Sequence, residues 1–146
     1  MKVTGIAETS LYVDNLARAA AFYRRLFDVP VLLEEERLVA LEVAPGQVLL
    51  LFLRHASLTP VVLDFGTFPS HDGNGPLHVC FGIAPEDLPA WQQRLEALSI
   101  SIESRIDWPG GAVSLYFRDP DGHAVEFATP GIWSLPPKQK PNKQMK

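Results

Sequence analysis

The order of secondary-structure elements predicted for this chain repeats once along its length. Each half opens with a strand of alternating residue character, continues into an amphipathic helix and closes with three strands. The predicted strands span residues 6–13, 31–35, 38–43 and 47–54 in the first half and 77–83, 100–106, 112–118 and 123–128 in the second. The first helix begins after an N-cap at Asp14 or Asn15 and must end before Pro30, and the second begins at Pro85. Such an internal repeat predicts two similar β-α-β-β-β modules and therefore an α+β fold.

The repeat also predicts how the 146 residues are organised. We expect one domain over residues 1–133, with module one at about 5–55, a linker at 55–76 and module two at about 77–130. The linker is rich in Pro, Gly and Asp, which is typical of a surface loop, and only residues 60–64 resemble a strand. Residues 134–146 carry four lysines, several prolines and no acidic residue, so they are expected to form a basic, flexible tail.

Charge and composition exclude several classes of function. The net charge is −4, and all 17 acidic residues lie before the tail, which argues against nucleic-acid binding. The longest apolar run, residues 48–53, is too short to cross a bilayer, and the N-terminus lacks the apolar segment of a signal peptide. A single cysteine, Cys80, rules out a disulfide framework within the chain. These features predict a cytoplasmic protein whose partner is a small molecule.

Side-chain alternation predicts which residues share a face of each sheet. Residues two apart in a strand point the same way, and the more apolar row should face the helices. The opposite rows should then line a concave surface, which is the usual form of a binding cavity. These rows comprise Glu8, Ser10, Tyr12, Leu50, Phe52, Arg54, His78, Cys80, Ser114, Tyr116, Arg118, Ala124 and Glu126.

Three members of this surface, Glu8, His78 and Glu126, suggest a metal site. A carboxylate in a cavity is costly unless it is paired, hydrogen-bonded or bound to a cation. Two carboxylates and a neutral imidazole suit a divalent metal ion. The alternative is that the three side chains are satisfied separately, each by its own protein partners.

Several segments resemble the vicinal oxygen chelate superfamily, which includes glyoxalase I, fosfomycin-resistance proteins, extradiol dioxygenases and bleomycin-resistance proteins. The resemblance covers about residues 5–130. It is carried by residues 8–16 (ETSLYVDNL) with Phe22 and Tyr23, by 75–79 (GPLHV) and by 115–127 (LYFRDPDGHAVEF). It implies a glyoxalase-like fold, in which the curved mixed sheets of two modules form a cup.

By position, the resemblance implies that Glu8, His78 and Glu126 are the metal ligands. Many relatives have histidine where this chain has Glu8, and glyoxalase I-type enzymes have a carboxylate where it has Leu50. The cofactor would be a divalent ion, either Fe, Mn, Ni, Co, Mg or Zn. The resemblance also implies a homodimer, with the cup closed within one chain or by modules exchanged between two chains.

Other residues of the concave surface are candidates for contact with a substrate. We expect Tyr116 and Glu126 to be catalytic, although strand tyrosines usually serve packing. His55 and His71 are weaker candidates for a general base on the linker, because loop histidines are usually only solvated. The expected substrate-binding residues are Tyr12, Phe52, Arg54, Ser114 and Arg118. Four further residues are expected to be structural or peripheral: Cys80 buried and inert, His123 at the surface, and Trp108 and Trp133 as possible walls of the pocket.

Two functions remain open on these grounds. The first is a metal-dependent lyase, isomerase or dioxygenase that acts on a small molecule chelated through adjacent oxygen atoms. The second is a non-catalytic protein of the bleomycin-resistance type that binds a drug or metabolite. The three candidate metal ligands favour the first, because a sequestering protein needs no metal.

Overall fold

The computed structural model describes residues 1–133, so the expected tail at 134–146 lies outside the described residues. The fold is α+β. Its elements are β1 (Glu8–Val13), α1 (Leu16–Phe27), β2 (Val31–Glu34), β3 (Leu38–Ala44), β4 (Gln47–Leu53), β5 (Val61–Leu63), β6 (Gly66–Phe68), β7 (His78–Gly82), a 3-10 turn (Pro85–Asp87), α2 (Leu88–Ala97), β8 (Ser104–Asp107), β9 (Val113–Arg118) and β10 (Ala124–Ala128).

Two four-stranded sheets repeat the same topology. Their strand orders are β1-β4-β3-β2 and β7-β10-β9-β8, so each module pairs its first strand with its last. That pair is parallel in both sheets, and the remaining pairs are antiparallel. The register places Tyr12 beside Phe52 in module one and Cys80 beside Glu126 in module two. The predicted duplication is therefore confirmed.

The predicted alternation of faces is also confirmed. Leu11, Leu49 and Leu51 are fully buried in the core, whereas their neighbours in the strands face away from it. Helix α1 ends in an αL residue, Asp28, and packs Tyr23 against the same core. The two modules share this core through aromatic contacts and the buried apolar residues Val13, Ala19, Leu26, Val79, Leu95, Leu115, Phe117, Val125 and Phe127.

The prediction that His123 lies at the surface was wrong. Its side chain is 0% exposed because the turn after β9 folds back between the modules. His123 Nδ1 accepts a hydrogen bond from Leu77 N–H, and Nε2–H donates to the carbonyl of Tyr12, both at 2.8 Å. In the same turn, Asp119 accepts a 2.8 Å hydrogen bond from the buried Tyr23 hydroxyl. Polar contacts thus link module two to module one.

Three smaller expectations also need correction. The linker contains a hairpin of β5 and β6 rather than one short strand, because the chain turns between Leu63 and Gly66. Strand β8 begins at Ser104, since residues 100–103 form no ladder before it. Cys80 is exposed, and its strand β7 lies at the edge of the second sheet. None of the helices within residues 1–133 has the length and apolar character needed to cross a membrane.

Candidate functional site

A close polar contact joins His78 on β7 and Glu126 on the neighbouring parallel strand β10. His78 Nε2 lies 3.2 Å from Glu126 Oε2. His78 Nδ1 lies 2.9 Å from the carbonyl oxygen of Ala124, which can only accept, so Nδ1 carries a hydrogen. In the neutral ring, Nε2 therefore presents its lone pair towards the carboxylate. This is the arrangement that orients a metal-binding histidine in many proteins.

Glu126 is nearly buried and incompletely satisfied. Its residue exposure is 4%, and Oε1 has no hydrogen-bond partner among the described residues. Two acceptors, Oε2 and the Nε2 of a neutral His78, face each other and repel unless a proton or a cation lies between them. The donor set of imidazole nitrogen and carboxylate oxygen fits a divalent metal ion.

Two further side chains surround the Glu126 carboxylate. The Tyr116 ring stacks on His78, with centroids 6.1 Å apart. Burial, followed by the effect of Glu126, raises the pKa of Tyr116. Cys80 is exposed as a residue, but desolvation of its thiol, followed by the same carboxylate, raises the pKa of that thiol to about 12. Both groups therefore stay protonated at neutral pH, so they can donate hydrogen bonds at this site.

Glu8 lies in a separate cavity of about 570 Å³, which we call the module-one cavity. One wall is the outward face of β1 and β4, and the linker with its hairpin covers the opposite side. The sheet wall carries Glu8, Ser10, Tyr12, Leu50 and Phe52. The linker contributes Ser57, Val61, Leu63, Phe68 and His71 to the lining. Apolar side chains form much of the cavity wall, and the charged side chains of Glu35 and Arg37 also line it.

The single chain brings only two of the three expected metal ligands together. His78 and Glu126 meet, whereas Glu8 faces the module-one cavity, which neither of them lines. Within residues 1–133, no group of three His, Cys, Asp or Glu side chains could hold a metal ion. The expected convergence of all three ligands therefore does not occur inside one chain.

The structure distributes the expected substrate-binding residues unevenly. Tyr12 and Phe52 line the module-one cavity, as the alternation of faces indicates. Arg54 instead donates to the Asp14 carboxylate at 2.9 Å, and its side chain does not line that cavity. Arg118 forms a bidentate pair with Glu103 on the exposed side of module two.

Ser114, like Arg54 and Arg118, makes contacts within the protein rather than lining the module-one cavity. It is fully buried, and its hydroxyl accepts a 2.9 Å hydrogen bond from the Trp108 indole N–H. Trp108 therefore braces β9 rather than forming a wall of the module-one cavity. Trp133 is exposed and lies outside that cavity as well.

The sequence indicates Tyr12 and His71 separately as candidate site residues but does not predict that they contact each other. The Tyr12 hydroxyl lies 2.8 Å from His71 Nδ1, and both side chains line the module-one cavity. His71 belongs to the linker, where no strand or helix period predicts the direction of a side chain. Its position next to a Gly- and Asp-rich turn is the only sequence signal, and it is a weak one.

Comparison with known proteins gives a consistent relationship. A family model described as the Glyoxalase/Bleomycin resistance protein/Dioxygenase superfamily matches residues 5–127. The metallothiol transferase FosB of Bacillus licheniformis is 29% identical over 133 residues, which span 90% of this chain and 79% of that protein.

Two solved structures show the same fold. A crystal structure of lactoylglutathione lyase from Agrobacterium tumefaciens is 34% identical, with a TM-score of 0.83, and the match covers 92% of this chain and 100% of that one. The fosfomycin resistance protein FosX from Listeria monocytogenes is 16% identical, with a TM-score of 0.65 over 90% of this chain and 98% of that one.

Proposed function

The chain belongs to the glyoxalase, bleomycin resistance protein and dioxygenase superfamily, and from this premise we propose that it is a metal-dependent enzyme. Its substrate would be a small molecule that binds the metal through two adjacent oxygen atoms. His78 and Glu126 would hold a divalent ion together with Glu8. Two of the three relatives above, the metallothiol transferase and the lactoylglutathione lyase, are named for thiol compounds, so glutathione or cysteine is the first co-substrate to test.

The observation that most strongly supports a metal is that the Glu126 carboxylate is nearly buried and that its Oε1 has no hydrogen-bond partner among the described residues. A nearly buried carboxylate with an unpartnered oxygen is costly, and the lone pair of a neutral His78 would add repulsion. A divalent cation would satisfy both groups at once. The hydrogen bond from His78 Nδ1 to Ala124 already fixes the ring in the orientation that this role requires.

The third ligand would come from a second copy of the chain. β1 and β7 are edge strands of their sheets, so Glu8 and His78 both lie at open edges. A two-fold dimer that sets module one of each copy against module two of the other would create two identical sites. Large apolar side chains around the module-one cavity are exposed, among them Leu33, Val62 and Phe68, and an interface would cover them.

The chain's own residues would prepare and hold the substrate. When bound, the metal supplies a Lewis acid that stabilises negative charge on a substrate oxygen. The Tyr116 hydroxyl, kept protonated beside Glu126, would donate a hydrogen bond to that oxygen. Tyr12 and Phe52 stack with centroids 5.8 Å apart and would pack against the apolar part of the substrate.

One observation favours the second function, in which the protein binds a small molecule without reaction. The module-one cavity exists within a single chain, and apolar side chains line most of it. Such a cavity suits a protein that sequesters a drug or metabolite without reaction. Metal binding discriminates between the two functions, because sequestration in this cavity needs no ion at His78 and Glu126.

The test is the metal content of dialysed protein by elemental analysis. Wild type should hold about one divalent ion per chain, while Glu8→Ala, His78→Ala and Glu126→Ala should each lose at least about tenfold in affinity. Glu36→Ala, which removes an exposed carboxylate in the turn after β2, is the matched control and should bind like wild type. Equal, substoichiometric metal in all five proteins would instead support the sequestering function.

A further inference from the structure

The β1 wall of the module-one cavity carries a polar group at each end, Glu8 and Tyr12, and only Glu8 belongs to the candidate metal site. Glu8 and Tyr12 point to the same face of β1, four residues apart. A strand rises about 3.3 Å per residue, so their Cα atoms are separated by about 13 Å. The Tyr12 end of the β1 wall therefore presents chemistry of its own, with Ser10 between Glu8 and Tyr12 and with Phe52 beside Tyr12.

At this end, Tyr12 and His71 form a pair that is held in place by aromatic packing. The Tyr12 oxygen lies 2.8 Å from His71 Nδ1. Phe52 stacks on Tyr12 and meets the His71 ring edge-to-face, with centroids 4.5 Å apart. Three rings in mutual contact restrict the rotation of each, so the imidazole has a defined direction although it lies on a linker.

The backbone around His71 is fixed as well. His71 N–H donates to the carbonyl of Ser57 at 2.9 Å. Gly73 lies so close to the Tyr12 ring that a Cβ at that position would overlap it. The adjacent Asp72 carboxylate accepts hydrogen bonds from the backbone N–H and the ring of His55. The linker is thus anchored where it presents His71 to the cavity.

The Nδ1 atom of His71 contacts Tyr12, so its other ring nitrogen, Nε2, is available to a bound molecule. Burial, followed by the Asp72 carboxylate, raises the pKa of Tyr12, so its hydroxyl stays protonated at neutral pH. A hydroxyl can donate to or accept from Nδ1, so this contact persists in either protonation state of the ring. Among the described residues, His71 Nε2 has no hydrogen-bond partner.

We propose that His71 is the proton-transfer residue of the module-one cavity and that Tyr12 positions it. In the base direction, neutral His71 takes a proton on Nε2 from an O–H or S–H group while Nδ1–H donates to the Tyr12 oxygen. In the acid direction, Nε2–H returns that proton to an oxygen of the bound molecule, and the ring becomes neutral. This role rests on the proposed function, because the reacting molecule must occupy this cavity.

The test uses p-nitrophenyl acetate, an aromatic ester small enough for an apolar cavity, with the full-length chain in the presence of a chelator. Neutral His71 would remove a proton from water as the water oxygen bonds to the ester carbonyl carbon. The bond from that carbon to the aryl oxygen then breaks, releasing p-nitrophenolate and acetic acid. The acid ionises in solution, and the proton on Nε2 passes to solvent. This chemistry needs no metal.

We expect His71→Asn and His71→Gln to lower kcat for this ester by about tenfold or more. Glu86→Ala removes an exposed side chain of module two that does not line this cavity, and it should leave kcat unchanged. Tyr12→Phe keeps the ring stacked on Phe52 and should lower kcat several-fold while leaving KM unchanged. Hydrolysis by His71→Asn at the wild-type rate would overturn the proposal, and an unchanged kcat in Tyr12→Phe would overturn the positioning role.

Metal content separates this proposal from the proposed function. His71→Asn should bind the divalent ion as wild type does, because His71 lies at the far end of the cavity from Glu8. A chain that binds no metal but loses ester hydrolysis with His71 would retain this proposal and refute the metal enzyme. If the chain binds metal but the His71 variants still hydrolyse the ester, the proposed metal enzyme stands and the role of His71 is refuted.

Discussion

His123 Nε2 donates a 2.8 Å hydrogen bond to the backbone carbonyl of Tyr12 and thereby ties the turn of module two to the first strand of module one. Nδ1 of the same ring accepts from Leu77 N–H, one residue before His78. A single buried imidazole therefore contacts the backbone of module one at Tyr12 and the backbone of module two beside His78. We infer that it sets the relative position of the two modules within one chain.

His123→Ala should destabilise the fold by about 3 kcal/mol. The change removes two buried hydrogen bonds and leaves the Leu77 N–H and the Tyr12 carbonyl without their partner. Chemical denaturation measures the effect, with His55→Asn as an exposed histidine control. A loss below about 0.5 kcal/mol, as expected of an ordinary surface residue, would show that His123 does not link the modules.

Tyr23 should make the fold sensitive to alkaline pH. Burial, followed by the Asp119 carboxylate, raises the pKa of Tyr23 well above 10.0. Above about pH 10, Tyr23 in the unfolded chain ionises while the folded protein keeps its proton, so the free energy of unfolding falls as pH rises. Tyr23→Phe should lower the free energy of unfolding by about 2 kcal/mol at neutral pH. The difference in the free energy of unfolding between the variant and wild type should become smaller above about pH 10. A constant gap in denaturation curves between about pH 8 and 11 would contradict this account.

Gly73→Ala should displace the linker from the Tyr12 ring. The new Cβ would overlap that ring, so we expect a loss of about 1–3 kcal/mol in the free energy of unfolding. Gly110→Ala is the matched control, because its Cβ would meet open space. Equal stability of the two variants would mean that the 71–73 segment does not pack on Tyr12 as described.

Leu50 should prevent the isomerisation of the methylglyoxal–glutathione hemithioacetal. It lies beside Ser10 on the face that carries Glu8, where glyoxalase I-type enzymes use a carboxylate. A spectrophotometric assay for the thioester product should show no rate above the uncatalysed reaction. Leu50→Glu should tighten metal binding by about tenfold, since it adds a charged oxygen ligand. Robust turnover by wild type would contradict this interpretation.

The two modules and their faces could be predicted because strand alternation is a local property. Leu49 and Leu51 had to point opposite to Leu50 whatever packed against them. The same reasoning identified Tyr12 and Phe52 as cavity residues. Alternation does not reveal what covers a face, which is why Cys80 was expected to be buried and is exposed.

The remaining errors concern contacts between distant segments. His123 could not be placed from its own strand, because the turn before it packs between the modules. The partners of Arg54 and Arg118 are Asp14 and Glu103, and no sequence period relates these pairs. Likewise, alternation put Glu8 on the same kind of face as Glu126 without showing whether the two faces meet in one chain.

The central claim is that each metal site takes Glu8 from one copy of the chain and His78 with Glu126 from another. The most direct test mixes Glu8→Ala chains with Glu126→Ala chains that carry a different tag. A dimer of the two isolated by both tags contains one site with all ligands intact, so it should bind about one divalent ion per dimer. Each variant alone should bind almost none. A mixed dimer that binds no metal, alongside wild type that binds one ion per chain, would contradict the shared site.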